Sequence, residues 1–149
     1  MVEYGVPLLK KILILLSCSI IVLFAESFTI EKKIYTHIIH PLYPQKVTLV
    51  KVWTDDPSKL KVLQSIPRLK IVKKPQEADF LVVHKEKNLQ SKGLIFTTDY
   101  HTLEVYKERA IGGFYWQKGR PNILFLRQNL KKYHIKLPED MQEYVEDSL

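Results

Sequence analysis

The histidines are the first side chains of this sequence that could bind a metal ion. His37 and His40 are spaced i, i+3 on a predicted helix, close enough for both to bind one metal ion. His101 or His134 would have to come near in the fold to supply a third ligand. Two histidines on a solvated helix face explain the same spacing, and the sequence has no third-ligand motif. We therefore predict no metal site.

Adjacent carboxylates are the next candidates. Asp55 and Asp56 could act as an acid–base pair, but carboxylates directly before Pro57 are typical of a helix start, where a side-chain oxygen caps backbone N–H groups. Gly112 and Gly113 lie in a strand-like segment, so we expect a bulge or a close backbone approach there rather than a phosphate site. No nucleophile stands beside a base, which leaves a hydrolase without support. We predict a protein that is not an enzyme and needs no cofactor.

The segment at 111–126 carries the strongest indication of binding. Two strand-like runs flank a short glycine-containing connection, which is typical of a β-hairpin. Two large amphipathic rings stand beside two cations around this turn: Tyr115, Trp116, Lys118 and Arg120. Such a composition is typical of recognition surfaces, although strand alternation could also bury one ring for packing and leave the other as ordinary surface. We predict that these four residues bind a partner and leave the packing interpretation open.

Helical and strand-like periodicities alternate along the rest of the chain. Ile30, Ile34 and Ile38 repeat every four residues, which predicts an amphipathic helix over 28–40. The run at 78–84 is almost continuously apolar, which predicts a strand covered on both faces. The pattern predicts a single three-layer α/β domain, a mixed β-sheet flanked by helices. Its other segments are strands at 46–54, 69–72, 94–96, 111–117 and 122–126, and helices at 57–66, 100–109, 127–134 and from Pro138 onwards.

The N-terminal segment has the layout of a secretory signal peptide. Lys10 and Lys11 precede thirteen uncharged residues, Ile12–Phe24, and the run ends at Ala25 before polar residues. A membrane span needs roughly 20 apolar residues, so this run is short for a permanent anchor. We predict that residues 1–25 are a signal peptide and that the chain is periplasmic.

The mature chain would then be the α/β domain at 26–149. A retained anchor is the alternative to cleavage at Ala25, and lipidation at Cys18 is a further one. Cys18 is the single cysteine and lies in the apolar run, so the mature domain has no disulfide framework and must fold by burying a core.

The charge of the chain favours acidic partners. The whole sequence carries a formal net charge of +7. The last twelve residues, 138–149, hold five acids and no base, so the remaining surface is more basic than the net value suggests. A basic field attracts anionic lipid headgroups or an acidic protein face, and a soluble basic surface is the plainer interpretation. Export argues against a nucleic-acid partner, and we expect at most a peripheral membrane contact.

A set of segments along the chain has apolar and glycine spacing in common with a known family: Ile34-Tyr35 through Leu42-Tyr43-Pro44, Trp53-Thr54-Asp55-Asp56-Pro57, Ala78–Val83, Gly112-Gly113-Phe114, Gly119-Arg120, Ile123, Phe125, Asn129-Leu130 and Ile135-Lys136-Leu137. In these segments the chain resembles the YfiR/HmsC-like family of periplasmic regulators. The likeness covers about residues 30 to 146 and consists of apolar and glycine spacing rather than a catalytic signature.

The resemblance implies a non-enzymatic periplasmic protein. A member of that family binds the sensor portion of a membrane-bound diguanylate cyclase and holds the enzyme inactive, and its release raises cyclic di-GMP and biofilm formation. Better-known members carry redox-responsive cysteines, which the segment at 26–149 lacks, so redox control by that route is not expected here. A homodimer stays open.

The alternative function is that of a small-molecule binding component of an envelope transport or sensory system. Open α/β sheets bind ligands at the carboxyl ends of their strands. In this chain that edge would bring the loops at 53–56 and 96–99 together. A single small domain offers no two-lobed cleft, which weighs against this hypothesis.

Overall fold

One mixed β-sheet forms the centre of the domain and confirms the predicted α/β class. The computed structural model describes residues 6–44, 49–86 and 88–149. Within these residues the strands are β1 (Val50–Thr54), β2 (Leu69–Ile71), β3 (Phe80–Val83), β4 (Leu94–Thr97), β5 (Ala110–Gln117), β6 (Arg120–Leu126) and β7 (Val145–Glu146). They lie side by side in the order β2-β1-β3-β4-β5-β6-β7.

The first five strands are parallel, and this decides where their ends meet. β1 pairs with both β2 and β3, β3 pairs with β4, and β4 pairs with β5, all in parallel register. The order 2-1-3-4-5 is that of doubly wound α/β sheets, in which the carboxyl ends of neighbouring strands form a crevice. Every residue of β3 is buried, as the apolar run predicts for a strand covered on both faces.

The N-terminal helix is longer than the periodicity predicts. α1 runs without a break over Val6–Leu42 and joins the apolar segment to the helix predicted at 28–40. Its N-terminal part is exposed, whereas Tyr35, Ile38 and Ile39 pack in the core. The exposed part is long and apolar enough to cross a membrane, and near an N-terminus such a helix is also compatible with a signal sequence. The predicted cleavage after Ala25 would cut inside this helix.

Three short helices connect the strands: α2 (Pro57–Gln64), α3 (Tyr100–Val105) and α4 (Arg127–Lys132). The predicted final acidic helix is instead a 3-10 helix over Glu139–Tyr144, followed by β7. That prediction was wrong because the chain must leave the helical path to pair β7 with the end of β6. The first predicted strand begins only at Val50, and its positions 46–48 lie outside the described residues.

The helices cover the two faces of the sheet with separate core clusters. α1 and α2 cover one face, whose cluster includes Tyr35, Phe80 and Phe96. Leu103 of α3 packs with Leu81 of β3 in the cluster on the other face. Alternate residues of each strand point to opposite faces. A strand residue therefore faces either α1 and α2, or α3.

β5 and β6 form the predicted hairpin, with a tighter turn than predicted. Only Lys118 and Gly119 connect the strands, and both have positive φ, 50° and 73°. Two successive left-handed residues are the conformation of a type I′ turn, whose twist matches that of the flanking strands. β4 pairs with β5 only as far as Gly113, and β7 pairs with β6 only from Phe125 onwards. The distal half of the hairpin therefore extends past its neighbouring strands.

Gly112 packs closely against the backbone of β6, and the expected bulge and close backbone approach are both present. The β4–β5 register skips Ile111, and a Cβ atom on Gly112 would meet the carbonyl oxygen of Leu124 and the Cα of Phe125. Both of these atoms belong to the backbone, so the contact can be relieved only by moving the strand.

We expect Gly112→Ala to lower the free energy of unfolding by about 3 kcal/mol, the upper range for overpacking a filled core. Chemical denaturation monitored by circular dichroism measures the change. Gly119→Asn is the matched control, because nothing lies within 4 Å of its Cβ position and asparagine tolerates positive φ. Equal stability of the two variants would contradict the assignment of Gly112 to a close backbone contact.

Candidate functional site

The predicted partner-binding residues all lie in the distal half of the hairpin. Tyr115 and Trp116 are half-buried and, as neighbours in β5, face opposite sides of the sheet. Lys118 lies in the turn and Arg120 pairs with Gln117 at the start of β6, and both cations are exposed. The structure thus brings the cations together at the tip but sends the two rings to different faces.

Trp116 points toward α1 and is bonded there. Its ring packs against Phe114 at 6.0 Å between centroids. Its Nε1 donates a hydrogen bond of 2.8 Å to Oε1 of Glu31, in the buried part of α1. The indole therefore fastens the hairpin to the first helix, which is the packing role that the sequence left open.

Glu31 also holds α2. Lys59 Nζ donates to the same Oε1 of Glu31 at 2.7 Å. The side chain of Lys59 is only 11% exposed and that of Glu31 only 8%. One buried carboxylate oxygen thus accepts hydrogen bonds from two elements at once. A buried charge is tolerated when it is paired and hydrogen-bonded in this way.

Tyr35 lies one helical turn beyond this carboxylate. Its ring contacts Phe114 edge to face at 5.6 Å, and its hydroxyl has no hydrogen-bond partner among the described residues. Burial raises the pKa of Tyr35 well above its ordinary value, and the nearby carboxylates of Glu31 and Asp56 raise it further. The phenol therefore stays protonated, so its hydroxyl can donate or accept a hydrogen bond but does not act as a base.

Tyr115 faces α3 and contacts a residue that sequence analysis missed. Its ring meets that of Tyr100, the first residue of α3, edge to face at 6.0 Å. Burial raises the pKa of Tyr115, and its electrostatic interaction with Tyr100 adds to the shift. The sequence signal was weak, because Tyr100 is simply an aromatic residue directly after the capping Asp99.

A second candidate site lies at the carboxyl ends of β1, β3 and β4. Asp55 accepts the backbone N–H groups of His84, Lys85 and Glu86 at 2.6, 2.8 and 2.6 Å, so it ties the end of β1 to the loop after β3. Asp56 caps α2 by accepting from the backbone N of Ser58 at 2.9 Å, as predicted. Both carboxylates serve the fold, and neither is arranged as an acid–base pair.

His84 is the titratable group at the centre of this crevice, and sequence analysis did not single it out. Its Nδ1 lies 2.9 Å from Thr98 Oγ1, 3.4 Å from Asp99 Oδ2 and 4.0 Å from Asp56 Oδ2. The loops at 53–56 and 96–99 therefore do meet, through a histidine between them. An available signal was a polar residue directly after a fully apolar strand. His84 and Asp99 line a cavity of about 410 Å³ beside α3.

The two helix histidines considered for a metal, His37 and His40, are engaged elsewhere. His37 Nε2 lies 2.6 Å from Asp140 Oδ2, and His40 Nε2 lies 2.8 Å from the carbonyl oxygen of Pro67. His101 is on α3, which packs on the opposite face of the sheet from α1. In the part of the chain that the structure describes, no three histidine, cysteine, aspartate or glutamate side chains are grouped so as to hold a metal ion.

No protein-family model, curated protein or solved structure matches the chain. Two places among the described residues group the candidate binding side chains. They are the cationic hairpin tip and the crevice around His84.

We expect Trp116→Phe to lower the free energy of unfolding by about 1.5–3 kcal/mol, the usual effect of losing a hydrogen bond to a charged group. The variant keeps an aromatic ring but leaves Glu31 without one donor. Thermal and urea denaturation measure the loss, with Tyr115→Phe as the matched control on the neighbouring ring. Similar melting temperatures for both variants would contradict the anchoring role of the indole.

Proposed function

We propose that this chain is a non-enzymatic periplasmic regulatory protein that binds and restrains a membrane-bound sensor enzyme, a diguanylate cyclase. Its resemblance to the YfiR/HmsC-like family supports this function, and the N-terminal apolar helix is compatible with export. The basic charge of the chain favours an acidic partner surface.

The observation that carries the proposal is the construction of the hairpin tip. Lys118, in the two-residue turn, and Arg120, the first residue of β6, are exposed beyond the neighbouring strands. Beneath them, Trp116 is bonded to α1 and Tyr115 packs on α3, so the tip is held from both faces of the sheet. A rigidly held tip loses little conformational entropy on binding, which favours protein recognition.

Restraint of an enzyme requires more than contact. The protein must bind the inactive state of its partner more tightly than the active state, because equal affinity for both shifts nothing. We propose that the hairpin tip binds the periplasmic portion of the sensor enzyme, and that it binds the inactive state far more tightly than the active state. A signal that weakens the contact then releases the enzyme.

The test is the cellular concentration of cyclic di-GMP in a strain that lacks this gene. We expect a rise over the parent strain, reversed when the full chain is supplied again. The doubly substituted Lys118→Glu/Arg120→Glu chain should fail to reverse it, whereas the Lys73→Glu/Lys74→Glu chain should succeed. The latter pair is the matched control, because it makes the same charge change at exposed lysines after β2. An unchanged concentration in the deletion strain would refute the proposal.

A second candidate function is small-ligand binding in the crevice around His84. The observation in its favour is that the carboxyl ends of β1, β3 and β4 converge on one histidine beside a cavity. That is the place where open α/β sheets bind their ligands.

Ligand binding there would appear as a rise in melting temperature of the purified chain with a panel of small polar metabolites. A ligand at 100 times its Kd stabilises the folded state by about 2.7 kcal/mol. We expect His84→Asn to abolish the rise and His134→Asn, at an exposed site after α4, to retain it. If no metabolite raises the melting temperature, this function is discarded.

A further inference from the structure

The register of the hairpin sorts its side chains into two faces. Tyr115 pairs with Asn122, and Gln117 pairs with Arg120. Residues directly opposite each other on antiparallel strands lie on the same face, and so do residues two apart on one strand. These four side chains therefore share the face that looks toward α3, whereas Trp116 belongs to the face that looks toward α1.

Tyr100 extends this surface beyond the hairpin. It lies on α3 in contact with Tyr115 and is itself 41% exposed. Together the five side chains form what we term the tyrosine–arginine face: Tyr100, Tyr115, Gln117, Arg120 and Asn122. It has two phenols, two amides and one guanidinium, and no acidic group.

The surface has room for a partner. Gln117, Arg120 and Asn122, with Lys118 of the turn, line an open depression of about 490 Å³. Tyrosine and arginine are the residue types enriched at the centres of protein interfaces, because they supply large contact area and hydrogen bonds together. Each side chain around the depression carries a hydrogen-bond donor, although Asn122 Nδ2 already donates to the carbonyl oxygen of Arg120 at 3.2 Å. Two of these side chains, Lys118 and Arg120, carry a positive charge.

We propose that the tyrosine–arginine face is the surface that binds the partner, that Tyr100 belongs to it, and that its ligand is an acidic segment of the sensor protein. Carboxylates of such a segment would pair with Arg120 and Lys118 and accept hydrogen bonds from the phenols. Trp116 has no place in this contact, because its indole N–H is already bonded to Glu31. This inference rests on the proposed regulatory function and specifies its contact surface.

The charges of this surface and of its possible ligands favour an acidic protein segment over a membrane surface and over a second copy of the chain. A membrane surface gains only about 1 kcal/mol for each basic residue near it, so two cations bind lipid weakly. A second copy of the chain could offer the acidic segment at 138–149. Two of that segment's five carboxylates are already paired within the chain, Asp140 with His37 and Asp147 with Arg127, which lowers the charge it can offer as a ligand. An acidic segment from another protein is the ligand that we propose, and the oligomeric state of the chain tests the second copy.

The test is complementation of the deletion strain with full-length variants, with cyclic di-GMP as the readout. We expect Tyr100→Ala to weaken partner binding about tenfold, the loss typical of a hot-spot residue, and so to leave cyclic di-GMP raised. Tyr100→Phe should have a smaller effect because it removes only the hydroxyl. Leu49→Ala is the matched control, as it shortens a similarly exposed apolar side chain at the start of β1, and it should restore the parental concentration.

The outcomes separate this inference from the function on which it rests. If deletion leaves cyclic di-GMP unchanged, both fall. If deletion raises it but Tyr100→Ala restores it fully, the regulatory function stands and the contact surface is wrong. Analytical ultracentrifugation of the purified chain measures its oligomeric state. If the chain is a dimer that Tyr100→Ala or Arg120→Glu dissociates, the face binds a second copy and the acidic-partner assignment is overturned.

Discussion

A single buried carboxylate holds together the parts of this protein that its fold must align. Glu31 accepts hydrogen bonds from Lys59 of α2 and from Trp116 of β5 through the same oxygen. Removing either partner of a buried ion pair leaves an uncompensated charge, which costs about 3–5 kcal/mol. The angle of α1 against the sheet and the position of the hairpin are therefore coupled.

As a consequence, the two faces of the hairpin have different roles: one packs on α1 and the other carries the exposed side chains. Trp116 uses its polar group for anchoring, and this fixes which face remains available. Tyr115 packs on α3, and Gln117 and Arg120 on the same face are exposed to solvent. Pro121, in the half of β6 that β7 does not reach, offers no backbone N–H to a passing strand, so this free edge is poorly suited to aggregation. The groups of the tip that are available for contact are therefore its exposed side chains rather than the edge of the strand.

At the carboxyl ends of the parallel strands, carboxylates accept hydrogen bonds from backbone N–H groups. Asp55 binds three successive backbone N–H groups after β3, and Asp99 caps α3 by accepting from Thr102 N at 2.8 Å. These carboxylates fix the loops that surround His84, whose Nδ1 lies 2.9 Å from Thr98 Oγ1. The crevice and the hairpin tip are thus separate candidate sites on one sheet.

Local signals in the sequence determined much of the fold. Apolar continuity marked β3, capping carboxylates marked the start of α2, and a glycine-containing connection marked the hairpin. These features depend on neighbours in the chain, so the sequence alone contains them. Contacts between distant residues were decided only by the tertiary structure. The bond from Glu31 to Trp116 spans 85 positions, and the approach of His84 to Asp99 depends on which strands lie side by side. Periodicity shows that a residue faces inward but not what it meets there, which is why Tyr100 and His84 emerged only when the sheet was assembled.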